Sequence, residues 1–316
     1  MKPLIHVQNL VRRFDDTLAV DDVSFTINRG MVYGFIGPNG AGKTTTMRIL
    51  ATIDVPDEGD AIIDGYSVID DPDRVRAKIG FMPDYYGVYG STTVHDYLEF
   101  FGRAYGLRGA QLKRSLEDVI DFTGIGPIRD KWLESLSKGM KQRVALGRIL
   151  IPDPDVLILD EPAAGLDPRA RVELRELLKL VASRDKAVLI SSHILTELSE
   201  LVDGCAIIEK GRIVCDGTVD EVRALARAAS TGGETIELRT LAPDPDVVER
   251  FLLEHPLITS VQPKGARFEA EFSGDETEVV KLLSSLVSEG IPVVEFHATE
   301  HDLEDVFLAV TKGEIQ

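Results

Sequence analysis

The first two thirds of the chain alternate between short apolar runs and segments with helical spacing. Alternating or continuously apolar runs predict strands, and apolar residues three or four positions apart predict helices. Strands that alternate with helices are typical of a mainly parallel sheet covered on both faces, so the predicted fold class is α/β. The predicted strands are "LIHVQNLVRRF", "LAVDDVSFTI", "MVYGFIG", "DVLILD" and "AVLISSH", and the predicted helices are "KTTTMRILATI", most of 94–150, "RVELRELLKLVASR" and "LTELSELVD".

The pattern changes after residue 225, which indicates a second domain. Residues 226–233 are small and flexible, as in a linker. Beyond them the predicted order is βαββαβ, which is typical of a ferredoxin-like α+β domain, followed by a last helix, "HDLEDVFLAVT". We therefore predict a large domain over 1–225, with a helical subdomain at about 91–150, and a small accessory domain over 226–316.

Composition narrows the possible functions. The chain has 316 residues with 44% hydrophobic content, enough for two domains with cores. No apolar run approaches the ~18 residues of a membrane span, and the start lacks the apolar segment of a signal peptide, so we expect a cytoplasmic protein. The net charge of −18 argues against nucleic acid as a partner and against anionic membrane surfaces. A phosphorylated ligand stays possible, because a phosphate site is local.

The two cysteines flank a predicted hairpin that turns at Lys210–Gly211. A two-residue turn would pair residue 206 with Cys215 and leave Cys205 on the opposite face. We expect two reduced, buried thiols rather than a disulfide.

The segment "GPNGAGKTT" fits the phosphate-binding pattern G-x-x-x-x-G-K-[ST] and lies between a predicted strand and a predicted helix. Glycines let the backbone curl around phosphates, while amides and the helix start supply positive potential. Lys43 is expected to reach the β- and γ-phosphates, and the Thr44 hydroxyl to ligate Mg²⁺. A glycine-rich turn without a ligand is the alternative, which the flanking strand and helix disfavour. The predicted nucleotide-binding residues of this loop are Gly37, Pro38, Asn39, Gly40, Ala41, Gly42, Lys43, Thr44 and Thr45.

The segment "VLILDEP" supplies acids for the same chemistry. A buried strand carries Asp160 and Glu161 to its carboxyl end, where open α/β sheets bind ligands. Asp160 is predicted to hold Mg²⁺, and Glu161 to act as the base for an attacking water. Acids that only cap the next turn are the alternative, and it weakens beside a phosphate-binding loop.

A second anion-binding pattern follows in "SLSKGMKQR". Ser137 is a candidate N-cap, and a helix start with a hydroxyl and the Gly139 amide is itself an anion site. Ser137 lies 94 positions after Lys43, beyond the helical insertion. Two phosphate-seeking loops in one chain suggest that the second serves another subunit, and simple helix capping is the alternative.

Together these motifs resemble the ATP-binding subunits of ABC (ATP-binding cassette) transporters, in particular the separate ATPase subunits of drug- and antibiotic-resistance exporters. Residues 1 to about 220 contain the ordered set "GPNGAGKTT", a Q-loop position in "IGFMPD", "LSKGM", "VLILDEP", "AGLD" and "SSH". The C-terminal "LEDVFLAVT" is also similar to that subgroup. The set is far more specific than any single motif.

The resemblance implies further roles. Phe14 matches the aromatic residue that stacks on adenine, with a core strand residue as the alternative. His193 matches the histidine that contacts the γ-phosphate and would be catalytic together with Glu161. The residues implied to act across a dimer interface are Ser137 and Gly139 of the signature and Asp167 of the D-loop.

The sequence departs from the family pattern at two places. Lys138 and Met140 stand where the common signature has glycine and glutamine, and because the serine and second glycine remain, contact in trans is still expected. Asp84 stands where the Q-loop usually has glutamine. Aspartate is a hard oxygen ligand, so Asp84 is still predicted to contact Mg²⁺, through water if its shorter side chain requires it.

Three tyrosines follow Asp84, at positions 85, 86 and 89. The resemblance places them where such ATPases meet the cytosolic helices of their membrane partner, and tyrosine suits an interface. The predicted function is ATP hydrolysis by a dimer, with itself or a homologue, that powers export through a separate membrane-spanning subunit, with ATP and Mg²⁺ as cofactors. The protein would then be peripheral on the inner face of the membrane. The alternatives are a soluble ABC-type ATPase without a transport role and a non-enzymatic binding module.

Overall fold

The computed structural model describes residues 3–84, 87, 91–194, 198, 200–222, 234–241, 245–265, 267–274 and 276–299. By proximity of Cα atoms the chain divides into two compact units, Met1–Val219 and Asp220–Gln316. The predicted boundary at 225/226, the linker, the helix "HDLEDVFLAVT", four residues of "LTELSELVD" and the three tyrosines after Asp84 lie outside the described residues. The predicted domain limits therefore stay predictions.

The described residues of the first unit form two sheets. Its strands are β1 (Ile5–Phe14), β2 (Thr17–Ile27), β3 (Val32–Ile36), β4 (Glu58–Ile63), β5 (Tyr66–Ser67), β6 (Ile79–Met82), β7 (Val156–Leu159), β8 (Ala187–Ser192), β9 (Gly204–Glu209) and β10 (Arg212–Thr218). Its helices are α1 (Lys43–Leu50), α2 (Pro72–Arg76), α3 (Val94–Ala104), α4 (Gly109–Thr123), α5 (Lys138–Leu150) and α6 (Pro168–Ala182).

The larger sheet has the order β10-β9-β3-β8-β7-β6, with every pair parallel except β9 and β10. Strands β3, β7 and β8 are buried along their whole length, which explains their continuous apolar sequences. Their carboxyl ends meet at one edge of the sheet, and the loops that follow them contain the predicted phosphate-binding and acidic residues. The predicted parallel sheet is confirmed.

The smaller sheet is antiparallel, in the order β2-β1-β4-β5. One cluster of buried side chains, including Phe25, Phe35 and Met47, draws residues from both sheets and from α1. Each such side chain contributes about 1.5–3 kcal/mol by leaving water. A separate cluster around Leu98, Leu116 and the other apolar residues of α3, α4 and α5 forms the core of the helical subdomain.

The second unit has the predicted βαββαβ order: β11 (Glu234–Thr240), α7 (Pro245–Leu253), β12 (Ile258–Lys264), β13 (Arg267–Phe272), α8 (Glu276–Ser288) and β14 (Val293–Thr299). Its sheet has the order β12-β13-β11-β14 and all pairs are antiparallel. Phe268 and Phe272 of the sheet pack with Leu252 of α7 and Leu286 of α8 in one core. The ferredoxin-like assignment of this unit stays a prediction.

The register of the β9–β10 hairpin corrects one expectation. Pairing begins at Arg212 with Glu209, but a bulge shifts it, so Cys215 pairs with Ile207 and Cys205 with Gly217. Both cysteines therefore lie on the same face, not on opposite faces. They are free and buried, as predicted. Within the described part of the chain, no helix is both long and apolar enough to cross a bilayer.

Candidate functional site

The phosphate-binding loop connects β3 to α1, and two of its glycines are required by close packing. A Cβ on Gly37 would lie 2.2 Å from the Ile208 carbonyl oxygen. Gly42 caps α1 at a φ of 106°, and a Cβ there would lie 2.4 Å from the Ala19 carbonyl oxygen. Any side chain at either position would displace the backbone, so the loop fits tightly between β2 and β9.

Lys43 is fixed by three polar contacts. Its ammonium is buried, with 5% of the side chain exposed, and donates to the carbonyls of Gly37 at 2.6 Å and Pro38 at 3.2 Å. It also lies 3.4 Å from Glu161 Oε1. The rest of the loop divides by exposure: Ala41 and Gly42 are buried, Thr45 is half-buried, and Pro38, Asn39, Gly40 and Thr44 are exposed.

The two acids after β7 are positioned from the neighbouring strand β8. The Ser191 hydroxyl donates to Asp160 Oδ1 at 2.7 Å and accepts from the Glu161 amide at 2.8 Å. Ser191 and Asp160 are both 1% exposed. Because the bonds are buried, they hold the acids in one arrangement more firmly than surface bonds would.

Glu161 departs from strand geometry and contacts both a cation and a histidine. Its φ of 48° is in the left-handed region, an uncommon and costly conformation for this residue type. His193 Nδ1 lies 2.8 Å from Glu161 Oε2, and Lys43 is near Oε1. Among the buried side-chain atoms of the described residues, Glu161 Oε1 has no hydrogen-bond partner. This oxygen therefore faces the Lys43 ammonium without a hydrogen bond of its own.

The three predicted Mg²⁺ ligands lie close together. The Thr44 hydroxyl donates to Asp160, and the Asp84 carboxylate is close enough to act on the Asp160 charge. Burial raises the pKa of Asp160 above its ordinary value; bonds from Ser191 and Thr44 lower it, and the negative charges of Glu161 and Asp84 raise it further. Two carboxylates and a hydroxyl are the hard oxygen donors that Mg²⁺ prefers, so the donor set fits this ion.

The signature and D-loop residues lie at the starts of two helices that pack against each other. Ser137 caps α5, accepting from the Met140 amide at 3.3 Å, so the predicted N-cap is confirmed. Asp167 caps α6, accepting from the Ala170 amide at 2.9 Å. A Cβ on Gly139 would lie 3.0 Å from the Ala170 Cβ, so the two helix starts are in contact. Ser137 and Asp167 are exposed and Gly139 is half-buried.

Phe14 lies at the end of β1, paired with Thr17 across the hairpin. Its side chain is 42% exposed, which contradicts the core alternative. On α3, Tyr97 is buried and Phe100 is 56% exposed, and Tyr105, which follows the helix as its C-cap, is 44% exposed. Two rings of α3 and its C-cap are therefore on the surface.

Sequence reasoning missed three residues that support this site. Ser191 bonds both acids, Gln142 Nε2 donates to the Pro162 carbonyl at 2.6 Å beside them, and Arg12 lies over the Phe14 ring. Ser191 carried one signal, because it is a polar residue at the end of an apolar strand. Gln142 and Arg12 carried none, since their partners are distant in the sequence.

The comparisons with known proteins agree with this geometry. A family model described as "ABC transporter" matches residues 20–164, and one described as "AAA domain, putative AbiEii toxin, Type IV TA system" matches residues 132–199. The chain is 31% identical to the Nod factor export ATP-binding protein I of Ralstonia nicotianae, over 99% of this chain and 95% of the relative. It is 32% identical to the daunorubicin/doxorubicin resistance ATP-binding protein DrrA of Streptomyces peucetius, over 97% and 92%.

A solved structure, the ATP-binding subunit of an ABC transporter, aligns with 70% of this chain and 92% of its own, at 31% identity and a TM-score of 0.64. The strand β3, its glycine loop and helix α1, with acids after β7 on the far side of β8, define the class as P-loop ATPases. The chain belongs to the ATP-binding subunits of the ABC transporter family, and it is an ATPase.

Proposed function

We propose that this chain powers an exporter, as one of two ATPase subunits that close on two ATP molecules beneath a separate membrane-spanning subunit. The names of the relatives support export, since they describe Nod factor export and resistance to daunorubicin and doxorubicin. The chain would lie at the inner face of the membrane through that subunit. The exposed rings of Phe100 and Tyr105 are candidates for the contact, because aromatic residues are enriched at interfaces.

The contacts of Glu161 with Lys43 and His193 are the main support for the proposed mechanism. Lys43, at 3.4 Å from one oxygen, would bind the β- and γ-phosphates, and His193, at 2.8 Å from the other, would contact the γ-phosphate. Glu161 lies between them and would take the proton of the water that attacks the γ-phosphorus. The Gly37–Thr45 loop would surround the phosphates, and Phe14 would stack on the adenine.

Thr44, Asp160 and Asp84 would hold Mg²⁺. When bound, the ion neutralises charge on the β- and γ-phosphates. The chain's own contribution is to orient these oxygens: Ser191 fixes Asp160, and the Met82 carbonyl accepts from the Asp160 amide at 2.8 Å. Because Met82 ends β6, two residues before Asp84, the same strand positions both acids.

The proposed dimer explains the exposed signature residues. Ser137 and Gly139 would contact ATP bound by the other subunit, and Asp167 would contact the other subunit directly. Groups that are supplied in trans to a transferring phosphoryl group can accelerate it by about 10³–10⁵. An isolated subunit should therefore hydrolyse ATP slowly.

A soluble ABC-type ATPase without a transport role is the second candidate. Translation factors of that kind have two cassettes in one chain, and chromosome-type ATPases have a long coiled coil between the P-loop and the signature. This chain has one cassette and 94 positions between Lys43 and Ser137. Co-purification of a multi-span membrane protein that raises the ATPase rate supports the transport role, and activity that depends on no membrane protein supports the alternative.

The catalytic proposal is tested by Glu161→Gln, which keeps the shape of the side chain and removes the basic carboxylate. We expect ATP binding without turnover and an ATP-bound dimer on size exclusion. Glu176→Gln, on the exposed side of α6, is the matched control and should hydrolyse ATP as the wild type does. Near wild-type turnover in Glu161→Gln would remove Glu161 from the role of base. Turnover loss with a monomer at saturating ATP would contradict the proposed dimer.

A further inference from the structure

Asp57 makes polar contacts with three consecutive residues near the end of β1. Its amide donates to the Val11 carbonyl at 2.8 Å, its Oδ2 accepts from the Arg13 amide at 2.6 Å, and its Oδ1 pairs with Arg12 Nη1 at 2.9 Å. The pairing of β1 with β2 is irregular on both sides of Arg12. Asp57 therefore fixes a bulged segment that ends at Arg13, directly before Phe14.

The Arg12 guanidinium lies between this carboxylate and an aromatic ring. Its central carbon is 4.6 Å from the centroid of the Phe14 ring, within range for a cation–π contact. Arg12 Nε is buried, and no hydrogen-bond partner for it occurs in the described part of the chain. An arginine with a buried donor left unpaired is held there by its ion pair and by the ring, and not by a full set of hydrogen bonds.

Phe14 lies on the β1–β2 hairpin, which packs against the phosphate-binding loop. Phe14 pairs with Thr17 at the tip of the β1–β2 hairpin, and two residues further along β2 the Ala19 carbonyl packs against Gly42. Phe14 stays 42% exposed although Arg12 covers one side of the ring. The remaining ring surface is available to a planar group next to the phosphates.

We propose that Arg12 is a positioning residue for the nucleotide base. Arg12 occupies one face of the Phe14 ring and so leaves the other face for the purine of ATP. The proposal rests on the proposed role of Phe14 in stacking. An exposed phenylalanine at a hairpin tip would otherwise sample several rotamers. Arg12, fixed by Asp57, restricts the ring before the base arrives, which lowers the ordering cost of binding.

A purely structural role of the Arg12–Asp57 pair predicts a different result. If the pair only ties β1 to the segment before β4, its loss would disturb the adjacent phosphate-binding loop and weaken every ligand of that loop. If Arg12 acts through the base, its loss weakens ATP and leaves a ligand without a base unaffected. Inorganic triphosphate is such a ligand.

The experiment measures kcat, the KM for ATP and the Ki of inorganic triphosphate for the full-length chain. Arg12→Gln should raise the KM for ATP about two- to fivefold, as expected for loss of a surface cation–π contact. Neither kcat nor the Ki of triphosphate should change. Asp57→Asn keeps the shape of the side chain but removes its charge, and it should also raise the KM for ATP. Arg13→Gln removes the same charge one position along and should match the wild type, because the Arg13 contact with Asp57 is made by its backbone amide.

The variant Phe14→Leu tests separately whether Phe14 stacks on the base. It therefore distinguishes an error about Arg12 from an error about Phe14. If Phe14→Leu raises the KM for ATP and Arg12→Gln does not, the inference is wrong and stacking on Phe14 stands. If Phe14→Leu leaves the KM unchanged, both are wrong. If Arg12→Gln raises the KM for ATP and the Ki of triphosphate by the same factor, the pair is structural and the inference is overturned. If Arg12→Gln does not fold, Asp57→Asn decides by the same comparison.

Discussion

Removing the Ser191 hydroxyl should weaken both the fold and the catalysis of the first unit. Among the described residues, Ser191 is the one side chain that bonds both acids after β7, at 2.7 Å to Asp160 Oδ1 and 2.8 Å to the Glu161 amide. In Ser191→Ala the Glu161 amide loses its acceptor, and Asp160 loses a donor that stabilises its charge. Glu161 also loses a contact that helps to hold its left-handed φ of 48°.

The magnitude follows from the two bonds. A hydrogen bond to a charged group contributes about 1.5–3 kcal/mol, and a buried donor left unpaired costs about 1–3 kcal/mol. Allowing for partial relaxation and non-additivity, we expect the free energy of unfolding to fall by about 2–4 kcal/mol. For a unit of this size, that loss lowers the Tm by about 5–15 °C. The kcat should fall more than the affinity for ATP, because Lys43 and the loop are untouched.

The assay compares Ser191→Ala, Ser191→Thr and Ser192→Ala by thermal unfolding and by ATPase kinetics. Ser192 is the matched control: it is also buried, but its hydroxyl exchanges bonds only with Ile194, at 2.9 and 3.0 Å, among the described contacts. Ser191→Thr keeps the hydroxyl and should recover part of the activity. If Ser191→Ala loses no more stability and no more kcat than Ser192→Ala, the reasoning about the two acids is wrong.

Three further predictions concern other residues. Asp84→Ala should raise the Mg²⁺ concentration for half-maximal ATPase activity with little change in ATP affinity, and an unchanged Mg²⁺ titration would make Asp84 a turn residue only. Burial raises the pKa of Cys205 to about 12 and also raises the pKa of Cys215. At pH 8 a thiol reagent should therefore react slowly with the native protein and with both thiols of the unfolded protein. A fast reaction of the native protein would contradict this prediction. Burial would raise the pKa of Asp155, but the Lys78 ammonium at 2.9 Å, with Arg29 and Lys186, holds it below its ordinary value. A carboxyl whose pKa is lowered in the folded state stabilises the fold above its unfolded pKa of about 4 and loses that contribution as the pH falls. Asp155→Asn should therefore lose less urea resistance than the wild type as the pH falls below about 5. If both proteins lose urea resistance equally, the Lys78–Asp155 ion pair does not stabilise the fold.

The sequence by itself determined the elements and motifs that depend on neighbouring residues. The loop from Gly37 to Thr45 is framed by β3 and α1 as predicted, and Ser137 caps α5. Such features could be predicted because a cap, a glycine turn or an apolar period is decided within a few residues. The βαββαβ order of the second unit was predicted for the same reason.

Only the tertiary structure decided which distant side chains meet. Ser191 reaches Asp160 and Glu161 because β7 and β8 pair in parallel, in a register that polarity does not specify on strands buried on both faces. Asp57 meets Arg12 and Arg13 through the pairing of β1 with β4, across a break in register. The hairpin prediction failed similarly: its turn was local, but the bulge that moved Cys215 opposite Ile207 was not evident in the turn residues. Register and bulges depend on packing between segments far apart in the chain, so composition and period identify the participants but not their partners.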